Sequence, residues 1–145
     1  MARRILFLCT ANSARSQIAE GLARHLGGEG LVVESAGAEP SFVHPLAKRV
    51  LAEVGIDSAG QRSKSLAEFA DQPFDDVVTV CDRAAQSCPV FPGSGRRTHW
   101  SLPDPTAVGD EEQQLAAFRR VRDELAARLP EFLSVPADQP GDASS

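Results

Sequence analysis

Two residues near the start of the chain, Cys9 and Arg15, have types and a spacing that suit chemistry on an oxyanion. They form a C-x5-R pattern that begins where a short apolar run ends and stops where helical periodicity begins. A loop leading from a strand into a helix presents backbone N–H groups that bind tetrahedral anions, and arginine adds a charged bidentate donor. We therefore predict an anion-binding loop with Cys9 as its nucleophile. Its predicted oxyanion-binding residues are Thr10, Ala11, Asn12, Ser13, Ala14 and Arg15.

The electrostatic field of such a loop favours a thiolate over a thiol. We therefore expect the pKa of Cys9 to lie well below the value of about 8.5 for an unperturbed thiol. A cysteine that ends a buried strand is also common for packing alone. The C-x5-R spacing by itself therefore does not decide between a packing role and an anion-binding loop. The small, turn-forming residues after Cys9 and the helical pattern that follows them favour the anion-binding loop.

Further along the chain, Cys81, Cys88 and Asp104 are candidates to act with this loop. Cys9 and Cys81 each follow a predicted strand, and Asp104 lies shortly after another. The carboxyl ends of parallel strands lie at one edge of a sheet, where ligands bind. We therefore expect Cys9, Cys81 and Asp104 to meet at that edge.

Each of these residues has an ordinary alternative. Cys81 and Cys88 are six residues apart, which does not match the usual ligand spacings of a structural zinc site, but they could be two inert cysteines. The alternative is a redox role in which the thiols pass on a disulfide. Asp104 could be a general acid whose pKa is raised by a low dielectric and a bound anion, or simply a turn former before Pro105.

The length of 145 residues and the net charge of -5 limit the classes of function. We expect one domain at residues 1–134 and a disordered tail at 135–145. The acidic balance argues against binding to nucleic acid or to an anionic membrane. The apolar run at residues 5–8 is shorter than that of a signal peptide, so we expect a cytoplasmic protein, in which cysteines are rarely structural disulfides.

Strands and helices alternate along the chain, which predicts an α/β fold of three layers: an open, four-stranded parallel sheet with helices on both faces. The predicted strands lie at residues 5–8, 31–34, 75–80 and 97–100, and we expect a turn at 35–37. The predicted helices lie at residues 16–26, from Pro45 onward, at 66–70 behind a capping box of Ser65 and Glu68, and at 111–129.

Several side chains of these helices have predicted environments. Leu26 and Val54 are expected on buried faces, and Pro130 is expected to end or kink the last helix. His25 and His44 lie near helix ends in polar sequence, so we expect both to be solvated surface residues.

Together these motifs resemble the thioredoxin-coupled arsenate reductases, which share the fold of the low-molecular-weight protein tyrosine phosphatases. The resemblance covers residues 5–133. The segments that carry it are CTANSARSQ at 9–17, ESAG at 34–37, VVTVCDRAAQSCP at 77–89, HW at 99–100 and DP at 104–105. The first segment and the aspartate fit either family, whereas the pair of Cys81 and Cys88 is typical of the reductases.

The resemblance implies how the reaction begins. Cys9 attacks the arsenic of arsenate while the loop amides and Arg15 hold the oxyanion. Asp104 protonates the departing oxygen, and Ser16 helps to stabilise the thiolate.

It also implies how the reaction ends. Cys81 attacks the sulfur of Cys9 and arsenite leaves, after which Cys88 attacks Cys81 and thioredoxin reduces the resulting disulfide. The implied role is arsenic detoxification. The implied partners are arsenate, with phosphate or sulfate as competing oxyanions, and thioredoxin. No tightly bound cofactor is implied, no metal is expected in the site, and we expect a monomer.

Two features of the chain differ from some members of these families. Some relatives bind a structural potassium ion near the equivalents of Asn12, Ser35 and residues 63–65, but Ser65 stands where some of them carry a carboxylate, which counts against the ion. The chain has no tyrosine, and Thr106 follows the DP pair where tyrosine phosphatases usually carry an aromatic. A phosphotyrosine substrate is therefore disfavoured.

Two other functions remain as alternatives to the reductase. A low-molecular-weight phosphatase would hydrolyse aryl phosphates with Cys9, Arg15 and Asp104 and would need no reductant. A sensor of oxyanions or of thiol redox state would bind at Cys9 without turnover.

Overall fold

Four parallel strands form the sheet in the described part of the chain. The structure is a computed structural model and describes residues 3–82 and 95–134. The strands are β1 (Arg3–Cys9), β2 (Leu31–Gly37), β3 (Asp76–Thr79) and β4 (Arg96–His99), in the spatial order β2-β1-β3-β4. The expected open α/β sheet is confirmed. Cys88 and the predicted tail at 135–145 lie outside the described residues.

Strand β1 lies in the middle of the core. Its run from Ile5 to Leu8 is essentially inaccessible to solvent on both faces, which is typical of a parallel strand covered on two sides. Its pairing with β2 extends as far as Cys9, which lies opposite Gly37. Its pairing with β3 extends as far as Leu8, which lies opposite Thr79. This pairing fixes the position of Cys9 at the carboxyl end of the central strand.

Three helices pack on one another in the described part of the chain: α1 (Arg15–Gly27), α2 (Pro45–Ala52) and α3 (Glu111–Ser134). Helix α1 buries Ile18 and Leu22 on the face that the sequence pattern predicts. Helix α3 likewise buries Phe118, Val121 and Leu125. These side chains join the residues of β1 in a single hydrophobic cluster.

Two predicted boundaries are wrong because tertiary packing extends the elements. The expected turn at 35–37 is the end of β2, since β1 supplies a pairing partner for each of these residues. Helix α3 does not end at Pro130 but continues to Ser134. Its last turn places the ring of Phe132 against Trp100, at 5.2 Å between centroids, and this packing outweighs the hydrogen bond that proline cannot donate.

Other local predictions fail at the ends of helices. Leu26 and Val54 are exposed rather than buried, because α1 and α2 have reached their ends there. The predicted helix after Ser65 is a 3-10 helix at Leu66–Phe69, and Ser65 caps it by accepting a hydrogen bond from the N–H of Ala67. In the described ranges, no helix has the length and apolar composition needed to span a membrane.

Candidate active site

The carboxyl ends of β1, β3 and β4 converge around one cavity. Cys9 is the last residue of β1, Cys81 follows β3 by two residues, and Asp104 lies on the segment after β4. Strand β1 has β2 on one side and β3 on the other, which is the kind of switch point where open α/β sheets bind ligands. The structure thus places all three predicted residues on the wall of the same cavity, together with Arg15.

The loop after Cys9 is held by hydrogen bonds to its outward-facing carbonyl groups. The carbonyl oxygens of residues 10–13 each accept a hydrogen bond from a group outside the loop. The donors are, in that order, the N–H groups of Glu39 (2.9 Å) and Ser41 (3.2 Å), the side-chain amide of Gln17 (3.1 Å) and the N–H of His44 (3.0 Å). Because C=O and N–H point in opposite directions in a trans peptide, these bonds turn the following N–H groups toward the cavity. Such a row of N–H groups is an anion-binding nest.

Asn12 is the residue on which the shape of the loop depends. It is the only non-glycine residue of the described chain with a positive φ, at 48°, a left-handed conformation that asparagine tolerates better than most residues. Its buried side-chain amide donates to Ser16 at 2.8 Å and to Ser35 at 2.9 Å, and its oxygen accepts from the N–H of Lys64 at 2.8 Å. These bonds hold Asn12 behind the loop, so its side chain supports the anion site from outside the cavity.

Gly37 allows β2 to lie against the loop. A Cβ atom at this position would come within 2.4 Å of the carbonyl oxygen of Thr10 and 2.8 Å of that of Cys9. Real Cβ atoms do not approach backbone oxygens so closely. The ESAG segment is therefore a strand end whose glycine makes room for the anion-binding loop.

The environment of Cys9 differs from the sequence-based expectation. Cys9 and Cys81 are hydrogen-bonded thiols, and Cys9 is buried. The hydrogen bond with Cys81 and the loss of solvation raise the pKa of Cys9, while the charge of Arg15 and the N–H of Thr10 act in the opposite direction with less effect. The predicted lowering of this pKa is therefore wrong for this arrangement, in which Cys9 is protonated at neutral pH.

Arg15 connects the loop with the segment that carries Asp104. Its Nη1 donates a hydrogen bond to the carbonyl oxygen of Leu102 at 2.9 Å. Leu102 lies two residues before Asp104. The bond therefore fixes the guanidinium of Arg15 on the cavity wall and ties it to the segment that carries Asp104. The positive charge of Arg15 therefore acts on both Cys9 and Asp104.

Asp104 has hydrogen bonds that the sequence analysis did not foresee. Burial alone would raise its pKa, but the hydroxyl and N–H of Thr106 donate to Oδ1 at 2.7 and 2.9 Å and favour the carboxylate. The charges of Arg15 and His44 act in the same direction, so the pKa of Asp104 is lowered. Asp104 is therefore ionised at neutral pH in this structure, and the raised pKa expected beside a bound anion stays a prediction.

His44 is not the solvated surface residue that the sequence suggests, although His25 is exposed as predicted. The Nδ1 atom of His44 accepts a hydrogen bond from the N–H of Leu46 at 3.0 Å and so caps α2. Its ring lies 4.7 Å from that of Phe118. Burial lowers the pKa of His44, and the nearby carboxylate of Asp104 opposes that effect.

The cavity wall brings together the loop and two of the thiols that the sequence analysis singled out. Residues 4–139 match the family described as low molecular weight phosphotyrosine protein phosphatase. The chain belongs to this family.

The relatives to which the chain is similar include arsenate reductases. The arsenate reductase of Bacillus subtilis is 46% identical over 129 residues, which are 88% of this chain and 93% of the relative. An arsenate reductase solved in a phosphate-binding state is 34% identical with a TM-score of 0.74, and the match covers 91% of this chain and 97% of that one. A thioredoxin-dependent arsenate reductase of Corynebacterium glutamicum is 28% identical with a TM-score of 0.71, over 92% of this chain and 61% of that one. The predicted resemblance to the arsenate reductases is confirmed.

Asn12, Ser16 and Cys88 stand apart from the other predicted site residues; Asn12 is fully buried and does not line the cavity. Ser16 is fully buried and accepts a hydrogen bond from Asn12, so it lies behind the loop rather than on the cavity wall. Cys88 lies outside the described residues, and its role remains a prediction.

Three supporting residues were missed by the sequence analysis. Gln17 and Lys64 are buried polar residues that bond the loop from behind, and no local pattern distinguishes them from surface residues. Thr106 was noted only as the replacement of an aromatic. Its position two residues after an aspartate is typical of a turn in which the aspartate accepts the hydrogen bonds observed here, and this spacing could have identified it.

The structural potassium ion of some relatives does not fit this chain. Asn12, Ser35 and residues 63–65 do lie together, but the ammonium of Lys64 is among them. It contacts oxygens of Glu20, at 3.5 Å, and Arg62, at 3.2 Å. A second unit of positive charge about 4 Å from this ammonium would be repelled by about 4 kcal/mol at an effective dielectric constant of about 20. Lys64 is thus a second observation against potassium, beside the predicted one at Ser65.

Proposed function

We propose that this protein reduces arsenate to arsenite by passing two electrons from its cysteines, and that thioredoxin restores the thiols. The observation that supports the proposal best is the hydrogen bond between Cys9 and Cys81 on the wall of an anion-binding cavity. A phosphatase needs only the first thiol. A second thiol in contact with the first is what reduction by a disulfide relay requires.

In the first step, the loop amides and Arg15 hold the oxyanion against Cys9. The Cys9 thiol and dihydrogen arsenate give a thiol–arsenate adduct and water, with the thiol proton carried away in that water. Arsenic remains in the +5 state. Asp104, ionised in this structure, takes the proton and returns it to the departing oxygen, since a bound anion raises the pKa of a nearby carboxylate.

In the second step, Cys81 attacks the sulfur of Cys9 and a disulfide forms between them. The sulfur–arsenic bond breaks with its electron pair on arsenic, which falls to the +3 oxidation state. The released group takes up the proton lost by the Cys81 thiol and one proton from solvent, and it leaves as arsenous acid. Cys88 then attacks Cys81, Cys9 regains its thiol, and the dithiol of thioredoxin reduces the disulfide of Cys81 and Cys88. In this reaction, the attack by Cys88 and the stabilisation of the Cys9 thiolate by Ser16 rest on the family resemblance.

The remaining parts of the proposal follow from this chemistry. The thiols supply all electrons, so no tightly bound cofactor takes part. We place the reaction in the cytoplasm, where thiols are kept reduced, and assign it to a monomer. Phosphate and sulfate have the same tetrahedral shape as arsenate and compete for the loop.

The deciding assay follows NADPH oxidation in the presence of thioredoxin and thioredoxin reductase. Oxidation should depend on arsenate and should stop in Cys81→Ser and in Cys88→Ser. Turnover that survives either substitution would contradict the relay. Mass mapping after a single addition of arsenate should find a Cys9 to Cys81 disulfide in Cys88→Ser, and released arsenite would exclude a sensor that only binds.

A phosphatase is the second candidate, because the matching family is described as one. It predicts hydrolysis of an aryl phosphate by Cys9 without reductant, and efficient turnover in Cys88→Ser. The thiol of Cys81 on the same cavity wall as Cys9 and the threonine after the DP pair favour the reductase instead.

A further inference from the structure

Lys64 is a buried cation that the proposed reaction does not use. Only 4% of its surface is exposed, and its ammonium lies 3.5 Å from Glu20 and 3.8 Å from Glu34. It also donates to the carbonyl oxygen of Arg62 at 3.2 Å. A lysine is rarely buried unless its charge is compensated, and these three oxygen ligands compensate it.

A chain of hydrogen bonds runs from this ammonium to the anion-binding loop. Lys64 binds Oε1 of Glu20, the hydroxyl of Ser35 donates to the same oxygen, and Asn12 donates to Ser35. The backbone N–H of Lys64 donates to the side chain of Asn12 as well. Lys64 therefore reaches Asn12 by two routes, and Asn12 is the residue whose left-handed conformation shapes the loop.

The charges around the ammonium balance only when Lys64 is present. Arg24 binds the second oxygen of Glu20 at 2.9 Å and lies 3.8 Å from Glu34, so two cations face two carboxylates. Without Lys64, Arg24 alone would face both carboxylates, and Oε1 of the fully buried Glu20 would lose its cation. A buried carboxylate with one oxygen left without a cation would take up a proton or shift toward Arg24, and both changes would disturb the hydrogen bond from Ser35.

We propose that the Lys64 ammonium is a built-in monovalent cation that positions the anion-binding loop through Glu20, Ser35 and Asn12. Its ligands, two carboxylate oxygens and one carbonyl oxygen, are the donor set of a hard cation, and the covalently attached ammonium makes a dissolved one unnecessary. Oxyanion binding by this protein is therefore independent of potassium. The inference rests on the anion-binding part of the proposed function but does not require reduction of arsenate.

Phosphate binding, measured by calorimetry in the presence of a thiol reductant, tests this proposal separately from arsenate reduction. The dissociation constant of the wild-type protein should be equal within about twofold in potassium chloride and in choline chloride of the same ionic strength. In Lys64→Met it should rise at least about tenfold. Lys48→Met removes an exposed lysine of α2 and should leave it unchanged. Potassium-dependent binding by the wild type, or unchanged binding by Lys64→Met, would overturn the proposal.

Two further variants distinguish a positioning cation from a general stabilising contact. In Lys64→Ala, potassium or methylammonium should restore part of the phosphate affinity, whereas choline, which is too large, should not. The same dissociation constant for phosphate in all three salts would refute the role of a cation. Ser35→Ala leaves the pair of Lys64 and Glu20 in place but interrupts the path to Asn12. It should weaken phosphate binding about tenfold even if the Lys64 variants fail to fold, and wild-type affinity in Ser35→Ala would exclude the path. If all the expected phosphate-binding results are obtained but the protein does not reduce arsenate, only the proposed function is refuted and the role of Lys64 stands.

Discussion

Replacing Cys81 by alanine tests the electrostatic environment of Cys9. The hydrogen bond with Cys81 is the largest cause of the raised pKa of Cys9, and burial is the second. The substitution removes the bond and opens space for water beside Cys9, and both changes favour the thiolate. Cys9 should therefore become more reactive when its neighbouring thiol is lost, although the overall reduction of arsenate should stop.

The size of the effect follows from the strength of one hydrogen bond. A net contribution of about 0.5 to 1.5 kcal/mol to the thiol form corresponds to a thiolate population that is about two- to twelvefold larger in the variant. A thiolate of lower pKa is a weaker nucleophile, with a Brønsted coefficient of about 0.4 to 0.5. The rate of Cys9 alkylation at neutral pH should therefore increase by only about 1.5- to 4-fold.

The assay is alkylation by iodoacetamide, followed by mass spectrometry of the peptide that contains Cys9. Both proteins should carry Cys88→Ala, so that disulfide exchange with that residue does not compete. Rates across neutral and alkaline pH should give a lower midpoint for the variant with Cys81→Ala. An unchanged midpoint and an unchanged neutral rate would refute the conclusion that Cys81 holds the proton on Cys9.

Two further substitutions test the support of the loop and the charge of the acid. Gly37→Ala should weaken phosphate binding at least about tenfold, because its Cβ would come within 2.4 Å of the carbonyl oxygen of Thr10. Gly30→Ala, with open space at the Cβ position, is the matched control. Equal phosphate affinities of the two variants would contradict the close approach at Gly37. Thr106→Val should raise the pKa of Asp104 in an NMR titration of its carboxyl carbon, since two donors to that carboxylate are lost or weakened. The pKa of Asp104 is lower in the folded protein than in the unfolded chain, so its carboxylate stabilises the wild type at pH values above the unfolded pKa. This stabilisation is lost as the pH falls through the folded pKa. The Tm of Thr106→Val should therefore fall less on acidification than that of the wild type, and parallel curves would contradict this role of Thr106.

The elements of the fold could be predicted where the signal is local. The apolar run before Cys9, the periodic side chains of α1 and α3, and the C-x5-R spacing each lie within one segment, so a reader of the sequence sees the whole pattern. The predictions fail where a distant segment supplies the deciding energy. The end of β2 forms because β1 pairs with it, and α3 continues past Pro130 because Phe132 packs on Trp100.

The residue types of the site were also visible in the sequence, but their charge states were not. The pKa of Cys9 was predicted to shift in the wrong direction, and the hydrogen bonds that lower the pKa of Asp104 were not foreseen. The shifts depend on Cys81 and Thr106, and on how far burial and hydrogen bonds oppose each other at each group. Spacing along the chain does not contain those distances.

The sequence by itself determined that this chain has an anion-binding loop at the end of a central strand and additional thiols downstream. Its tertiary structure decided which groups touch: Cys9 meets Cys81, and Lys64 meets Glu20 beneath the loop. The physical reason is that local patterns follow from backbone geometry, whereas proton affinity and ion pairing depend on distances of a few ångströms between residues far apart in the chain. A buried ammonium in the place of a dissolved ion is therefore a property of the fold that no single segment reveals.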